Sequence, residues 1–292
     1  MRLLRPALAA LIGASTLAAI SAATTVAPAG AASSLASCKV SIAAHEYTKG
    51  KLTVATDNPV YPPWFESNKP ENGKGYESAV VYAIANILGV KKSNVVWVTE
   101  PFDSSYTPGP KKFDFDINEI SVTTARARVV TFSESYYSVQ QSIVALKTNK
   151  IVTHHSPQEL RSYLYGDQIG TTGLQYINEE IHPTRSPRVY STLDQAVLAL
   201  KNKQIDAIVI DTPTGQYMAT GQITGANGKA DIATQVGQFP SVGEHYGLLF
   251  AKNNPLVGCV NYALSALKEN GTLASLTHQW LGIYTSVPRI LP

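Results

Sequence analysis

Cysteine is nearly absent from this chain of 292 residues: only Cys38 and Cys259 occur, with two methionines and three tryptophans. A cysteine-ligated metal cluster or a disulfide-dense miniature fold is therefore excluded. Charge is also sparse and balanced, with 24 Lys and Arg against 21 Asp and Glu for a net +3. The basic residues are scattered, so there is no footprint for nucleic acid or another polyanion. After the first thirty-odd residues no apolar run approaches the roughly 20 residues needed to span a bilayer.

What is present begins with a targeting segment. Arg2 and Arg5 precede an alanine-rich apolar stretch from Ala7 to Ala23, which gives way to small residues ending at Ala29 to Ala31. That order predicts a secretory signal peptide over 1–31 rather than a membrane anchor, because the stretch is interrupted by Gly13, Ser15, Thr16 and Ser21. Export would place the two cysteines in an oxidising compartment, where a Cys38–Cys259 disulfide tying the ends is one expectation. The competing reading is a lipid anchor on Cys38, since Leu35 to Cys38 reads L-A-S-C. A polar stretch from Thr24 to Ser34 separates this motif from the apolar core, which favours the disulfide.

From Lys51 onward, strand-like and helix-like runs alternate, the pattern of an α/β protein with a mainly parallel sheet. Leu52–Thr56 and Val95–Val98 read as strands, and Ala79, Val80, Ala83, Ile84, Ile87 and Leu88 form one helical stripe ended by Gly89. Phe102 to Lys112, rich in Pro, Gly and Ser, reads as a loop. A second set of strands and helices follows Lys147, with Ser191 and Asp194 read as a helix-capping pair. The length suits two lobes of roughly 100 to 150 residues each.

Several familiar motifs fail. Asp114, Asp116 and Asn118 have calcium-loop spacing, but the turn glycine is replaced by Glu119 and the twelfth position is Ala125. Alternation through Phe113, Phe115 and Ile117 instead predicts a strand with one apolar face. His154 and His155 lack a third metal ligand, and Gly221, Gly225 and Gly228 do not open a helix as a phosphate cradle would. There is no G-x-S-x-G elbow. No metal or cofactor is expected.

Three runs carry a resemblance. The first is T-D-N-P-V-Y-P-P-W from Thr56, followed by G-Y-E from Gly75. The second, from Asp114, contains S-V-T-T-A-R and ends in E-S-Y-Y. The third pairs I-G-T-T-G from Ile169 with I-D-A-I-V-I-D from Ile205. In this order, over Lys51 to Gly282, they resemble the family 3 extracellular solute-binding proteins, the amino-acid receptors of ABC importers. The resemblance implies a two-lobed type II periplasmic-binding-protein fold with the ligand in a cleft between lobes joined by two hinge strands. The expected division is an N-terminal segment at 32–50, lobe 1 at 51–142 and 243–284, lobe 2 at 143–242, and a tail at 285–292, with the joining strands near Ser142 to Lys147 and Gly237 to Gly247.

Arg126 is the strongest candidate contact. A guanidinium placed after Ser121 and Thr123, where a strand passes into a helix, offers two parallel donors to a carboxylate. Thr171 and Thr172 would close on that carboxylate from the second lobe. Asp211 matches the family's carboxylate for the ligand ammonium, with helix capping as its plainer alternative. Tyr61 and Phe102 take the positions of rings flanking the ligand, and Trp64 is either a third ring there or core. G-Y-E-S-A replaces the family's G-F-D-x-D, a change expected to affect only helix capping. Glu119 and Asp57 beside the pocket suggest an amino acid with a cationic side chain, Glu119 otherwise taking the ligand ammonium itself. The implied protein is an exported monomer, periplasmic or at the cell surface, that makes and breaks no bond and hands its ligand to an ABC permease. The alternative is an enzyme on the same fold, because some periplasmic dehydratases resemble these receptors.

Overall fold

The alternation becomes a sequence of ten α-helices and ten strands among the residues described by a computed structural model, which are 34–225, 228, 232–282 and 287–290. The expected signal peptide lies outside them. Helix α1 (Leu35–His45) opens on Ser34, whose side chain accepts from the Ser37 N–H. In chain order there follow β1 (Leu52–Thr56), α2 (Tyr76–Ile87), β2 (Val95–Thr99), α3 (Phe102–Ser105), β3 (Phe115–Asp116), α4 (Thr124–Val129) and β4 (Thr131–Ser138). The next group is β5 (Gln141–Leu146), α5 (Pro157–Leu160), β6 (Gly166–Gln168), α6 (Thr172–Tyr176), β7 (Arg188–Tyr190), α7 (Leu193–Lys201), β8 (Ala207–Asp211), α8 (Thr212–Tyr217) and β9 (Ala233–Gln238). The chain ends with β10 (His245–Phe250), α9 (Val257–Glu269) and α10 (Thr272–Leu281).

The strands sort into two lobes. One holds a five-stranded sheet of order β2-β1-β3-β10-β4, in which β1 runs parallel to β2 and β3, and β10 antiparallel to β3 and β4. The other holds β8-β5-β9 and the parallel pair β6-β7. The expectation of mainly parallel pairing fails for β8-β5-β9, which is antiparallel. Strand β5 leaves the first lobe and β9 returns to it, so neighbours at this boundary run in opposite directions without a helical crossover. The crossings fall at 139–140 and 239–244, and the joining strand expected near Ser142 to Lys147 belongs to the second sheet.

Each lobe buries its own apolar core. In the first, Trp64, Tyr76, Phe115, Tyr246 and Phe250 are fully buried between the sheet and helices α2 and α9. In the second, Ile143, Tyr165 and Val209 fill one side of β5 and β8, and Val144, Leu200 and Ile208 the other. Gly75 allows α2 to start against the Trp64 loop: its φ is +93°, and a Cβ there would lie 2.4 Å from the Trp64 carbonyl oxygen. Cys38 of α1 is bonded to Cys259 of α9, with Cα atoms 5.2 Å apart. That sulfur is not available to a lipid thioether, which removes the alternative reading of L-A-S-C.

Two local expectations need correction. The segment from Phe102 starts as helix α3 and becomes irregular only afterwards. Around β3 both faces are buried: Asp114 and Asp116 lie inside together with Phe113, Phe115 and Ile117. Asp114 is tolerated because its two oxygens accept from the backbone N–H groups of Tyr47 and Thr53, each at 2.6 Å.

Candidate functional site

Between the lobes lies a cavity of about 160 Å3 walled by residues from both. Arg126 is delivered to it by the first turn of α4, where Thr123 caps the helix and accepts from the Arg126 N–H at 3.2 Å. The side chain is 6% exposed. Its Nη1 donates to the Ser121 carbonyl at 2.7 Å, and its Nη2 reaches across the cleft to the Gly170 carbonyl at 2.9 Å. The guanidinium also lies over the rings of Phe102 and Tyr106, 5.3 and 4.7 Å from their centroids. Burial lowers its pKa from the ordinary guanidinium value, opposed by Tyr106, Glu244 and Asp211.

The second lobe meets this group with the β6–α6 turn. Thr171 caps α6, accepting from the Leu174 N–H at 3.2 Å. Thr172 and Gly173 follow on the cavity wall. A Cβ at Gly173 would sit 2.1 Å from the Val209 carbonyl oxygen, so only glycine lets α6 pack this close to β8. Asp211 stands at the N-cap position of α8, yet its side chain makes no capping bond. Its carboxylate accepts from Gln141 Nε2 at 2.7 Å instead. Burial, then the charge of Glu244, pushes Asp211 up to about 7.

This cleft can hold a small zwitterion, with a forked cation facing a carboxylate. Residues 52–283 match the family described as bacterial extracellular solute-binding proteins, family 3. The chain belongs to that family. Among its relatives, an arginine-binding periplasmic protein of Mannheimia haemolytica is 26% identical over 226 residues, covering 77% of this chain and 89% of the relative. The solved structure of an ancestral arginine-binding protein bound to arginine superposes with a TM-score of 0.65 at 30% identity, covering 80% of this chain and 99% of that one. An ancestral amino-acid-binding protein, a precursor of cyclohexadienyl dehydratase, superposes at 0.63 with 27% identity, covering 79% and 95%. The two-lobed architecture is thus that of amino-acid-binding proteins.

In this solute-binding protein all the expected contact residues except Trp64 line the cavity: Asp57, Tyr61, Phe102, Glu119, Ser121, Arg126, Thr171, Thr172 and Asp211. Trp64 is fully buried behind it, and its indole N–H donates to Thr214 of the second lobe at 2.7 Å. Its large apolar surface was better satisfied in the aromatic cluster with Tyr76, Tyr137 and Tyr246 than in a polar cleft. Glu77 also departs from expectation, because it is buried under the site and caps nothing. It accepts from the Tyr136 hydroxyl and, at 2.8 Å, from the Glu119 N–H, holding Glu119 at a φ of +50°. Burial, then the charges of Glu77, Asp211 and Asp57, raises the Glu119 pKa well above the ordinary carboxylate range. Asp57 is raised by burial too, against the backbone N–H groups of Asn58 and Phe102 that favour its charge.

Three contributors were missed. Gln141, 1% exposed, places one amide nitrogen within reach of Thr172, Asp211 and Glu244. Glu244 accepts from the Ser121 hydroxyl at 2.6 Å. Asp194 had been paired with Ser191 as a cap, but Thr192 caps α7, and Gln195 accepts from the Ser191 N–H. The Asp194 carboxylate faces the cleft and accepts from the Tyr61 hydroxyl at 2.6 Å. With the Arg126 and Trp64 bonds, this ties lobe to lobe across the cleft, so the cleft is closed.

Proposed function

We propose that this protein is an exported receptor for an amino acid with a cationic side chain, arginine foremost, and that lobe closure presents the ligand to an ABC permease. The carrying observation is the charge of the cleft wall: Asp57, Glu119, Asp194 and Asp211 against the lone guanidinium of Arg126. Asp57, Glu119 and Asp211 are desolvated in this closed space and cannot all stay ionised there without a cation, while Asp194 adds its charge at the more exposed rim. An arginine zwitterion carries two cations and one carboxylate, which complements this wall. A neutral amino acid leaves the excess in place. The names of the arginine-binding relatives support the same ligand.

In this reading the ligand carboxylate lies on Arg126, supported by Ser121 and by the Thr171–Thr172 turn at the start of α6. The α-ammonium lies on Asp211. The rings of Tyr61 and Phe102 flank the side chain, whose cation meets Asp57 and Glu119. Because the ligand touches residues of lobe 1 (51–142 and 243–284) and lobe 2 (143–242), its binding energy favours the closed form. The signal peptide at 1–31 would export the chain, which would act as a monomer without making or breaking bonds.

Calorimetry of the pure protein against arginine, lysine, glutamine and glutamate tests the proposal. Arginine should bind most tightly, and a preference for a neutral or acidic amino acid would overturn it. A dehydratase reading draws on one observation, the carboxyl of Asp211 poised at about 7 beside the cavity, as a general acid requires. Dehydration of a cyclohexadienyl substrate by the pure protein would favour that reading over the receptor.

A further inference from the structure

The charges around the cavity divide it into two ends. Arg126 interacts with Tyr106, Glu244 and Asp211. Asp57 interacts instead with Asp103 and Asp194, and Tyr61 with Asp194, Tyr217 and Asp57. The end at Tyr61 is therefore acidic, with one cavity-lining carboxylate from each lobe: Asp57 follows β1, and Asp194 stands in the first turn of α7. Among the described residues lining the cavity, Arg126 is the only basic one, and it is committed to the other end.

Asp194 is held in a defined position. Its Oδ1 accepts from the Tyr61 hydroxyl at 2.6 Å across the cleft and from Gln222 Nε2 at 3.3 Å within its own lobe. An acid in a first helical turn can serve only to oppose the macrodipole. Here the cap is already supplied by Thr192, while the carboxylate is turned towards the opposite lobe.

We propose that Asp194 is a specificity-determining residue: with Asp57 it grips the side-chain cation of the ligand from the second lobe, while its bond to the Tyr61 hydroxyl holds the carboxylate in place across the cleft. This rests on the cationic amino-acid reading above. A planar guanidinium has donors enough for carboxylates on two sides, whereas a neutral side chain leaves them facing each other unpaired. Side-chain charge would then be read from both lobes and not only from the first.

The test compares arginine with citrulline, its neutral isostere, by calorimetry on the full chain and on Asp194→Asn, with Asp194→Ser as a second variant that keeps a residue suited to a helix start. Circular dichroism confirms folding. Asp194→Asn should lose roughly tenfold or more in arginine affinity, the size of one charge-assisted hydrogen bond, with citrulline affinity nearly unchanged. Tyr61→Phe, which keeps the ring and removes the latch, should weaken both ligands by a similar factor. An unchanged ratio of arginine to citrulline affinity in both Asp194 variants overturns the role of Asp194 alone. Wild-type protein that does not prefer arginine to citrulline overturns the reading of the whole cleft.

Discussion

Replacing Arg126 with lysine keeps the positive charge and removes the fork, which separates two explanations for the residue. If charge alone matters, Arg126→Lys should bind amino acids almost as the wild type does. If a planar pair of donors matters, it should not. The guanidinium spreads its donors between the Ser121 carbonyl at 2.7 Å and the Gly170 carbonyl at 2.9 Å, so in the closed form both lobes anchor it. An ammonium is a point donor and cannot keep both anchors while serving a carboxylate. Losing one charge-assisted bond costs about 1.5–3 kcal/mol. Weaker stacking on Phe102 and Tyr106 adds about 0.5–1 kcal/mol. The sum, about 3 kcal/mol, corresponds to a loss of roughly a hundredfold in affinity. Titration calorimetry with arginine measures it, with a thermal melt to show that the variant folds. Arg126→Ala should lose at least as much. An Arg126→Lys affinity within about threefold of wild type, well under 1 kcal/mol, would refute the bidentate clamp.

Glu119→Gln should weaken arginine far more than glutamine, measured by thermal shift of the two complexes; equal effects would count against a cation near Glu119. Arginine affinity should fall by about tenfold per pH unit below pH 7 and level off above it, because Asp211 at about 7 must be ionised to hold the ligand ammonium; calorimetry from pH 5 to 8.5 shows this. Glu77 and Asp211, both near 7 in the folded chain and lower when unfolded, bind more protons folded than unfolded between those values. Stability without ligand should therefore fall as pH rises from about 4.5 through 7, so urea midpoints should be higher at pH 5 than at pH 8. Reduction of the Cys38–Cys259 bond, which closes a loop with a sequence separation of 221, should cost up to about 5 kcal/mol by the chain-entropy account. Urea unfolding with and without reductant measures that cost.

The family and the place of Arg126 in the cavity wall were legible because they rest on contiguous pattern. Ser121, Thr123 and Arg126 lie within one strand-to-helix turn, and the cap, the buried guanidinium and the cavity wall follow from that local geometry. Thr171 and Thr172 were readable for the same reason, since a short strand running into a helix start leaves little choice of where they point. Trp64 could not be placed, because a tryptophan after a strand suits a pocket and a core equally until the neighbouring rings are known.

The sequence by itself settled what local rules control: the alternation of elements, the C-terminal end of α2, the family, and which turns face the cleft. Only the tertiary structure decided the other end of the site. Asp194 looked like a cap and Glu77 like a helix-start variant, because each satisfies a local preference as well as its actual role. What distinguishes them is contact with residues distant along the chain: Tyr61 for Asp194, at a separation of 133, and Tyr136 and Glu119 for Glu77. Desolvation acts in the same way, since the raised carboxylates of the cleft owe their shift first to burial, which no spacing of residues encodes.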